Sequence, residues 1–334
     1  MNLQKNRNSN IDILRGFAII IMIIAHLAPH VYSNDIQGFF GFRFICSIAA
    51  PIFLFILGYG LKNFSNFEKK KYFIKGVFIL VNACLIDVFL WNIIPFYSFD
   101  ILYIIGFSIL FYPFWSKIAF KYLIIICCFL YFSTLIIDWL NIYTLKITEI
   151  NFNQISDFKF ETLIYNLVVN GWFPFFPWFG FIIYGYVFDE IRLFDKRFYQ
   201  SIFFLITLFL SLYNLQNSFN YNREFAVELF YPANIYYFTS AISIVTLIKF
   251  YFLDRNKIQV NILSTIGKVS LFMYSFHLVM ITLFFNLVYT FCRENFIITC
   301  LVFIIFCVII SYILNVIKKK YNFHNIFLKI LFGT

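Results

Sequence analysis

The sequence predicts an all-α protein, a polytopic membrane helix bundle of about ten transmembrane helices. Of its 334 residues, 62% are hydrophobic and only 13% are charged, and the mean hydropathy of +0.83 is typical of a membrane protein. The apolar residues are grouped into runs long enough to cross about 30 Å of hydrocarbon. These observations exclude a soluble globular domain and make the lipid bilayer the first predicted partner.

Ten such runs follow one another, and a single transmembrane domain over residues 1–334 accounts for all of them. The fourth and sixth are short and interrupted by proline or glycine, so their ends are poorly defined. The ten predicted spans are 11–31, 43–62, 72–95, 100–115, 121–141, 173–188, 200–216, 234–252, 264–290 and 296–317.

Lysine and arginine are distributed unequally between the two sides of these spans. With a cytoplasmic N-terminus, twenty of the 26 lie in inner segments, five lie in outer segments, and Arg15 lies inside the first span. This asymmetry follows the positive-inside rule, so both termini are predicted to be cytoplasmic, with tails at 1–9 and 318–334 and a long outer loop at 142–172. The net charge of +10 is explained by topology, and no nucleic-acid partner is predicted.

The first span places an acid, a base and a histidine in an otherwise apolar segment. In a helix, Asp12 and Arg15 are three residues apart and can form a pair. Arg15 and His26 are eleven apart, which is roughly 16 Å of rise and nearly three turns, so they share a face. Ionisable groups inside a transmembrane helix indicate a functional site. The alternatives are that Arg15 anchors the inner end, Asp12 caps the helix, and His26 is an ordinary core residue.

The string LRGFAIIIMIIAH, with Asp12 before it, has an Arg-x10-His spacing that resembles the opening helix of bacterial integral-membrane acyltransferases. That superfamily includes the acyltransferase-3 proteins and the heparan-α-glucosaminide N-acetyltransferase-like proteins. Three later stretches resemble the second branch, and a fourth, with a Tyr-x-x-His pattern, resembles a late helix of both. The four stretches are APIFLFILGYGL (50–61), FDILYIIGFSIL (99–110), FPFFPWFGFIIYGYVF (173–188) and IGKVSLFMYSFHLVMI (266–281).

This resemblance implies a membrane enzyme that moves an acetyl or other acyl group from cytoplasmic acetyl-CoA to a carbohydrate on the outer side. The matched motif implies that His26 is catalytic, with Asp12 and Arg15 as its charged companions. His277 is the second candidate, as a base or as a group that orients a ligand. An acyl-histidine intermediate and direct transfer both remain open.

Three residues are predicted to contact acetyl-CoA, which acts as the acyl-donor substrate: Arg15 on the first span, Lys268 near the inner edge, and Tyr274, which shares a helix face with the second histidine. The basic inner loop KNFSNFEKKK can attract the coenzyme phosphates or simply set topology. The seven cysteines show no C-x-x-C spacing, and no metal is predicted.

Acceptor contacts are predicted at Asp35 and Gln37 in the first outer loop and at Trp178. An ordinary solvated loop and an interfacial tryptophan are the alternatives. In the lysosomal branch an important histidine lies near the position of Asp35 and Gln37, so a hydroxyl and an amine acceptor both remain open. The loop at 142–172 is longer than a connection requires and can cover an acceptor site or merely link helices.

Asp87 is a further carboxylate within a predicted span. It can belong to a functional site, or it can be a buried carboxylic acid that stays neutral.

Two other functions remain open: a transporter or flippase for a glycan or lipid-linked sugar, and a non-enzymatic assembly or sensor protein. The predicted partners beyond the bilayer are acetyl-CoA, a glycan or glycolipid acceptor and, as an open alternative, a second copy in a homodimer. The predicted location is the bacterial inner (cytoplasmic) membrane.

Overall fold

The computed structural model describes most of the chain, and its regular secondary structure there is helical, with no β-strand among the described residues. The described residues are 9–31, 40–63, 69–140, 142, 158–191, 197–217, 228–230, 234–254, 260–284 and 295–320.

Fourteen α-helices are described, and three of them run directly into a π-helical turn. The π-helical turns are Asp87–Trp91, Asn166–Asn170 and Lys249–Leu253, and a 3-10 turn covers Phe188–Glu190. The α-helices are α1 (Ser9–Val31), α2 (Phe40–Ser47), α3 (Ala49–Asn63), α4 (Lys69–Ile86), α5 (Ile101–Leu110), α6 (Tyr112–Trp115), α7 (Phe120–Trp139), α8 (Phe160–Tyr165), α9 (Phe175–Val187), α10 (Arg197–Asn217), α11 (Ile235–Ile248), α12 (Asn261–Lys268), α13 (Ser270–Leu283) and α14 (Phe296–Lys320).

Seven stretches of the described chain are long and apolar enough to cross a membrane as single spans, so the chain is a multi-pass membrane protein. Seven of the ten predicted spans are recovered in this way. The seven are Ser9–Pro29, Phe40–Lys62, Lys70–Trp91, Phe120–Trp139, Arg197–Asn217, Ile235–Leu253 and Phe296–Lys318.

The other three predicted spans differ from expectation, so the count of about ten and the shared side of the termini stay predictions. The run at 100–115 yields only the ten-residue helix Ile101–Leu110, about 15 Å long and too short to cross hydrocarbon alone. The run at 173–188 belongs to a pair of helices, Phe160–Asn170 and Phe175–Glu190, bent by 43°. The run at 264–290 belongs to a second bent pair, Asn261–Lys268 and Ser270–Leu283, which meet at an 86° bend, so its passage as one span stays a prediction.

Two compact units divide the chain. The terminal unit is Met1–Ile52 with Val245–Thr334, and the central unit is Phe53–Ile244. The chain passes from one to the other within α3 and within α11. The single-domain organisation over 1–334 stays a prediction, as do the two cytoplasmic tails and the outer loop, most of whose residues lie outside the described ranges.

The terminal unit is built around α1, which packs mainly on α12 and also contacts α2, α13 and α14. Glycines permit this close approach. A Cβ added at Gly16 would collide with the backbone of Leu263, and one added at Gly267 would collide with the backbone of Asp12. Small residues at a helix crossing let two backbones approach closely within a membrane. The same Gly267 weakens α12 near its end, and the helix stops one residue later, which explains the bend.

The central unit is organised by two helix pairs, α4 with α5 and α7 with α9. Helices α7 and α10 are largely exposed: only 28% of the most apolar stretch of α7 and 22% of that of α10 is buried inside the protein. Large apolar side chains such as Phe209, which is 72% exposed, cover these surfaces. Such surfaces suit contact with lipid, in agreement with the predicted bilayer partner.

Candidate active site

The acid, base and histidine of the first span lie on one unbroken helix, α1. Arg15 Nη1 lies 3.4 Å from Asp12 Oδ1, so the predicted pair forms. Asp12 is 1% exposed, whereas the Arg15 side chain is 29% exposed. Because the helix is continuous, the eleven residues from Arg15 to His26 cover roughly 16 Å along one side of α1. The helix therefore connects a partly accessible guanidinium at one end with an imidazole near the other.

The two candidate histidines contact each other although 251 residues separate them in sequence. His26 Nδ1 lies 3.1 Å from His277 Nε2, and the rings stack with centroids 5.2 Å apart and planes 20° apart. His277 has no exposed surface, whereas His26 is half-buried. The sequence named both residues without predicting that they would meet. They form the centre of the candidate active site.

The hydrogen bonds of His277 fix which of its ring nitrogens carries the proton. His277 Nδ1 lies 2.9 Å from the backbone oxygen of Met273, an acceptor, so this nitrogen donates. In a neutral ring the other nitrogen, Nε2, then accepts. His26 Nδ1 must therefore donate to it, and the basic nitrogen of a neutral His26 is Nε2. This sequence of bonds selects one tautomer of His26 and orients its ring.

Tyr274 and Lys268, the other residues predicted on this segment, lie on different helices. The Tyr274 ring is perpendicular to the His277 ring, with centroids 5.7 Å apart. This ring contact confirms the prediction that Tyr274 and His277 share a helix face. The Tyr274 side chain is buried. Lys268 is half-buried in the last turn of α12, before the bend, so it does not continue the α13 face. The contacts predicted between these residues and acetyl-CoA stay predictions.

The predicted acceptor residues are placed less completely. Asp35 and Gln37 lie outside the described residues. Trp178 is 1% exposed and packs among aromatic rings, with centroids 4.8 Å from Phe173 and 4.9 Å from Phe230. It is a core residue of the central unit in this structure, and contact with a substrate would require its ring to be uncovered. Its role in substrate binding stays a prediction.

Two buried charged residues have surroundings that sequence reasoning missed. Arg43 is one of the five lysine and arginine residues predicted in outer segments, and it is 2% exposed within α2. A lone arginine in the aromatic string FFGFRF was the available sign. Asp87 was noted as an intramembrane acid, but its partners, the hydroxyls of Ser98 and Tyr103, were not. These partners lie eleven and sixteen residues away across a non-helical turn, a separation that no helical periodicity relates.

The described residues include no group of three or more His, Cys, Asp or Glu side chains that could hold a metal ion. Six cysteines lie in this part of the chain, and all six are free thiols.

Comparison with known families places the chain among membrane acetyltransferases. A family model described as heparan-alpha-glucosaminide N-acetyltransferase, catalytic, matches residues 7–202, more than half of the chain. The matched range contains all of α1, with Asp12, Arg15 and His26, and ends within α10. His277 lies beyond it. No curated protein and no solved structure matches this chain.

Proposed function

The chain belongs to the heparan-alpha-glucosaminide N-acetyltransferase catalytic family, and on that premise we propose that it transfers an acetyl group from cytoplasmic acetyl-CoA to an amino or hydroxyl group of a carbohydrate on the outer side of the membrane. The family membership and the apolar spans identify a multi-pass membrane enzyme of the acyltransferase type. The contact between His26 and His277 is the observation that carries the catalytic part of the proposal.

The reaction needs a base for the acceptor, because an amine or hydroxyl gains positive charge as it attacks the thioester carbonyl. His26 Nε2 takes that proton. The new bond joins the acceptor nitrogen or oxygen to the acetyl carbon, and the bond from that carbon to the coenzyme sulfur breaks. The proton passes from His26 to the departing thiolate, so the products are the acetylated sugar and free coenzyme A. An acyl-histidine intermediate on His26 satisfies the same overall balance.

His277 is a positioning residue in this proposal. Its Nε2 accepts from His26 Nδ1–H, and its own Nδ1–H is held by Met273 O. When His26 binds the acceptor proton, the positive charge lies against the lone pair of His277 Nε2, which stabilises it. A base oriented by a third group is the recurring arrangement for this chemistry. Because His277 is fully buried, it acts through His26.

Arg15 supplies the proposed link to the coenzyme. The positive-inside distribution places the N-terminal end of α1 at the cytoplasmic side. The coenzyme phosphates then lie near Arg15 and Lys268, and the pantetheine arm extends along α1 for the roughly 16 Å that separate Arg15 from His26. Asp12 holds the guanidinium in place. Tyr274 lies beside His277 and is assigned to the thioester end of this path.

The acceptor approaches from the outer side in this orientation, so the acetyl group crosses the membrane while the coenzyme stays inside. Asp35, Gln37 and Trp178 remain the proposed acceptor contacts. The proposed location is the bacterial inner membrane, with both termini cytoplasmic, and the homodimer stays an untested alternative.

The test uses membranes that contain the full-length protein, with acetyl-CoA labelled in the acetyl group and two acceptors, glucosamine and methyl glucoside. We expect label in sugar from the wild type, and loss of at least about 100-fold in His26→Ala, since general base catalysis contributes about 100- to 10,000-fold. His324→Ala changes a histidine in the predicted tail 318–334, outside the predicted spans; it is the matched control and should keep wild-type activity. Treatment of the product with alkaline hydroxylamine separates amide from ester, because only the ester is cleaved.

The same assay decides between this proposal and the transporter alternative. Glycan export that continues in His26→Ala, with no transfer of label by the wild type to any acceptor, would replace the enzyme by a transporter. Transfer that is equal in the wild type, His26→Ala and His277→Ala would leave the enzyme standing and remove the histidine pair from its mechanism.

A further inference from the structure

Asp87 is the centre of a buried polar cluster in the central unit. It is 1% exposed and begins the π-helical turn that follows α4. Its Oδ1 accepts a hydrogen bond from Ser98 Oγ at 2.7 Å, and its Oδ2 accepts one from Tyr103 OH at 2.5 Å. Both carboxylate oxygens are therefore engaged by hydroxyl donors. Hydrogen bonds to a charged acceptor are short and strong, and their loss inside a protein is costly.

The two donors of this cluster hold a backbone turn in an unfavourable conformation. Phe96 and Phe99 have φ angles of 71° and 42°, in the left-handed region that bulky residues rarely occupy. The Phe96 N–H donates to Tyr103 OH at 3.0 Å, and Tyr103 in turn donates to Asp87. Ser98, the residue before Phe99, donates to the other oxygen of Asp87. The carboxylate thus fixes both strained positions, one through Tyr103 and one through Ser98.

The same turn is hydrogen-bonded to the bent helix pair Phe160–Asn170 and Phe175–Glu190, at and beside the break between its two helices. The carbonyl oxygens of Tyr97, Ser98 and Phe99 accept from Asn166 Nδ2, Trp172 N and Phe173 N respectively, each at 2.9 Å. The turn and the break therefore form one paired non-helical stretch. Non-helical backbone at membrane depth is tolerated only when it is buried in protein or lines a water-filled cavity.

A glycine at the contact makes this pairing specific. A Cβ added at Gly171 would lie 2.6 Å from both the backbone oxygen of Asn166 and Cβ of Phe99. Such contacts are shorter than real Cβ atoms make, so only glycine allows the two backbones to approach at this point. The break between Asn170 and Phe175 is therefore held against the Phe96–Phe99 turn on both sides: by hydrogen bonds from Trp172 and Phe173, and by contact at Gly171.

We propose that Asp87 is a positioning residue that, by clamping the Phe96–Phe99 turn, sets the position of the Gly171–Pro174 break where the carbohydrate acceptor is bound. The acceptor part rests on the proposed function, whose topology places both non-helical stretches at the outer side. The Asp87 side chain does not touch substrate, because its carboxylate is almost fully buried and hydrogen-bonded within the protein. Its effect on the reaction passes through the backbone of residues 96–99 and 171–174.

The donors and acceptors that each side chain carries predict which substitutions preserve the bonds from Asp87 to Ser98 and Tyr103. In Asp87→Asn, the amide oxygen can accept from Ser98, and the amide NH2 can donate to Tyr103 OH. The Tyr103 hydroxyl hydrogen can then turn to Cys84 Sγ, which lies 3.8 Å away. Tyr103 OH still accepts from Phe96 N–H, so the turn stays bonded. Asp87→Ala removes both carboxylate oxygens, and Tyr103→Phe removes the hydroxyl that accepts from Phe96 N–H.

The first experiment measures the clamp itself and does not depend on catalysis. Hydrogen–deuterium exchange of the full-length protein in lipid nanodiscs follows the amides of Trp172 and Phe173. Since losing buried partners frees these amides to open, we expect exchange at least about tenfold faster in Asp87→Ala and in Tyr103→Phe. Asp87→Asn should stay within about threefold of the wild type. Asp138→Asn, which changes another carboxylate in a span of the same unit, is the matched control and should show wild-type exchange.

The second experiment measures initial rates of acetyl transfer with each substrate varied in turn. Asp87→Asn should retain wild-type kinetics. In Tyr103→Phe and Asp87→Ala we expect KM for the acceptor to rise about tenfold while KM for acetyl-CoA stays unchanged, because only the acceptor-binding backbone is displaced. A uniform loss of active protein would lower the rate and leave both KM values unchanged.

The outcomes separate this inference from the proposed function. Wild-type exchange at Trp172 and Phe173 in Asp87→Ala and Tyr103→Phe would overturn the clamp, whatever the kinetics show. Faster exchange with equal changes in both KM values, or with kcat alone lowered, would overturn the acceptor-positioning role. Absence of transfer in the wild type would reject the proposed function, and the exchange experiment would still decide whether Asp87 holds the turn. If Asp87→Ala fails to fold, Tyr103→Phe and Asp87→Asn supply the same contrast.

Discussion

The histidine pair of the terminal unit and the Asp87 cluster of the central unit are both polar groups surrounded by apolar helices, but their bonds are of different kinds. His26 Nδ1 donates to His277 Nε2, so His26 can gain a proton at its other nitrogen, Nε2, without breaking that bond. Asp87 receives hydroxyl donors on both oxygens, and these donors fix backbone. The histidine pair is therefore suited to moving a proton, and the Asp87 cluster is suited to holding a backbone conformation.

The energetic reason for the second cluster is visible in the turn that it holds. A bulky residue with left-handed backbone costs on the order of 1–3 kcal/mol, and the turn contains two of them, Phe96 and Phe99. Such strain persists only where surrounding bonds determine the conformation. The backbone at the histidine pair carries no comparable strain, because α1 and α13 are regular helices at His26 and His277. Substitutions in the pair should therefore affect rate, and substitutions in the cluster should affect stability and positioning.

The largest expected effect is on the histidine pair, and a double-mutant cycle measures it. His26→Ala should lower the rate by at least about 100-fold. His277→Ala should lower it by roughly five- to 150-fold, because losing a buried hydrogen-bond partner costs about 1–3 kcal/mol. The double variant should match His26→Ala alone, since His277 acts through His26. A double variant slower by the product of the two single effects would show that they act independently and would remove the proposed relay.

The next effect concerns the packing that places α1. Gly267→Ala should lower the free energy of unfolding in detergent by about 1–3 kcal/mol, because its Cβ would overlap the backbone of Asp12. Gly41→Ala is the control within the same unit, since nothing lies within 4 Å of its Cβ position. It should be neutral, or stabilising by up to about 1 kcal/mol through helix propensity. Equal losses in both variants would mean that the close crossing of α1 and α12 is not what holds this unit.

A smaller effect is expected from one bond of the Asp87 cluster. Ser98→Ala removes a single hydroxyl donor and leaves the bond from Tyr103, so the free energy of unfolding should fall by about 0.5–1.5 kcal/mol. Thr265→Ala serves as the comparison, because its exposed hydroxyl bonds only within its own helix, to Asn261 O. That variant should change stability by less than about 0.5 kcal/mol. Thermal unfolding of the two purified variants in one detergent measures the difference, and a neutral Ser98→Ala would contradict the clamp.

The smallest effect is expected at an ion pair whose charged groups reach solvent, unlike the two buried clusters. Lys62 Nζ lies 3.1 Å from Glu190 Oε1 and 5.2 Å from the centre of the Phe120 ring. Lys62→Met should cost only about 0.2–1 kcal/mol, because exposed pairs are solvated and screened. The difference from the wild type should shrink as salt is raised from about 0.01 M to 1 M. A larger loss that is insensitive to salt would place this pair with the buried clusters.

Much of the fold follows from composition and charge. Runs of apolar residues predicted every long span, and seven of the ten became single spans of suitable length. The deviations have local physical causes. The run at 100–115 reads as a span by hydropathy, but the helix that begins at Ile101 ends at Leu110, just before the proline of the short helix Tyr112–Trp115. The segment 264–290 is mostly apolar, and hydropathy does not register that Gly267 lies against the backbone of α1 and that the helix ends one residue later.

The sequence predicted single residues and local pairs of the candidate site, but not the contacts between residues that are distant in the chain. The pairing of Asp12 with Arg15 followed from helical spacing, because three residues bring two side chains to one side. The closeness of Tyr274 and His277 followed from the same rule. No periodicity relates His26 to His277, and no motif relates Asp87 to Ser98 and Tyr103. Trp178 was predicted as an acceptor contact; its ring is packed among aromatic rings, and that role stays a prediction.

The sequence alone determined that this chain is helical, apolar and multi-pass, and which ionisable residues are out of place in its spans, because hydropathy and helical spacing are local properties. It also determined the family, through the motifs of residues 7–202. Only the tertiary structure decided that two histidines 251 residues apart share a hydrogen bond, and that a buried carboxylate accepts hydrogen bonds from Ser98 and Tyr103. Contacts of this kind depend on where helices cross and bend, and backbone packing at positions such as Gly16, Gly171 and Gly267 sets those crossings.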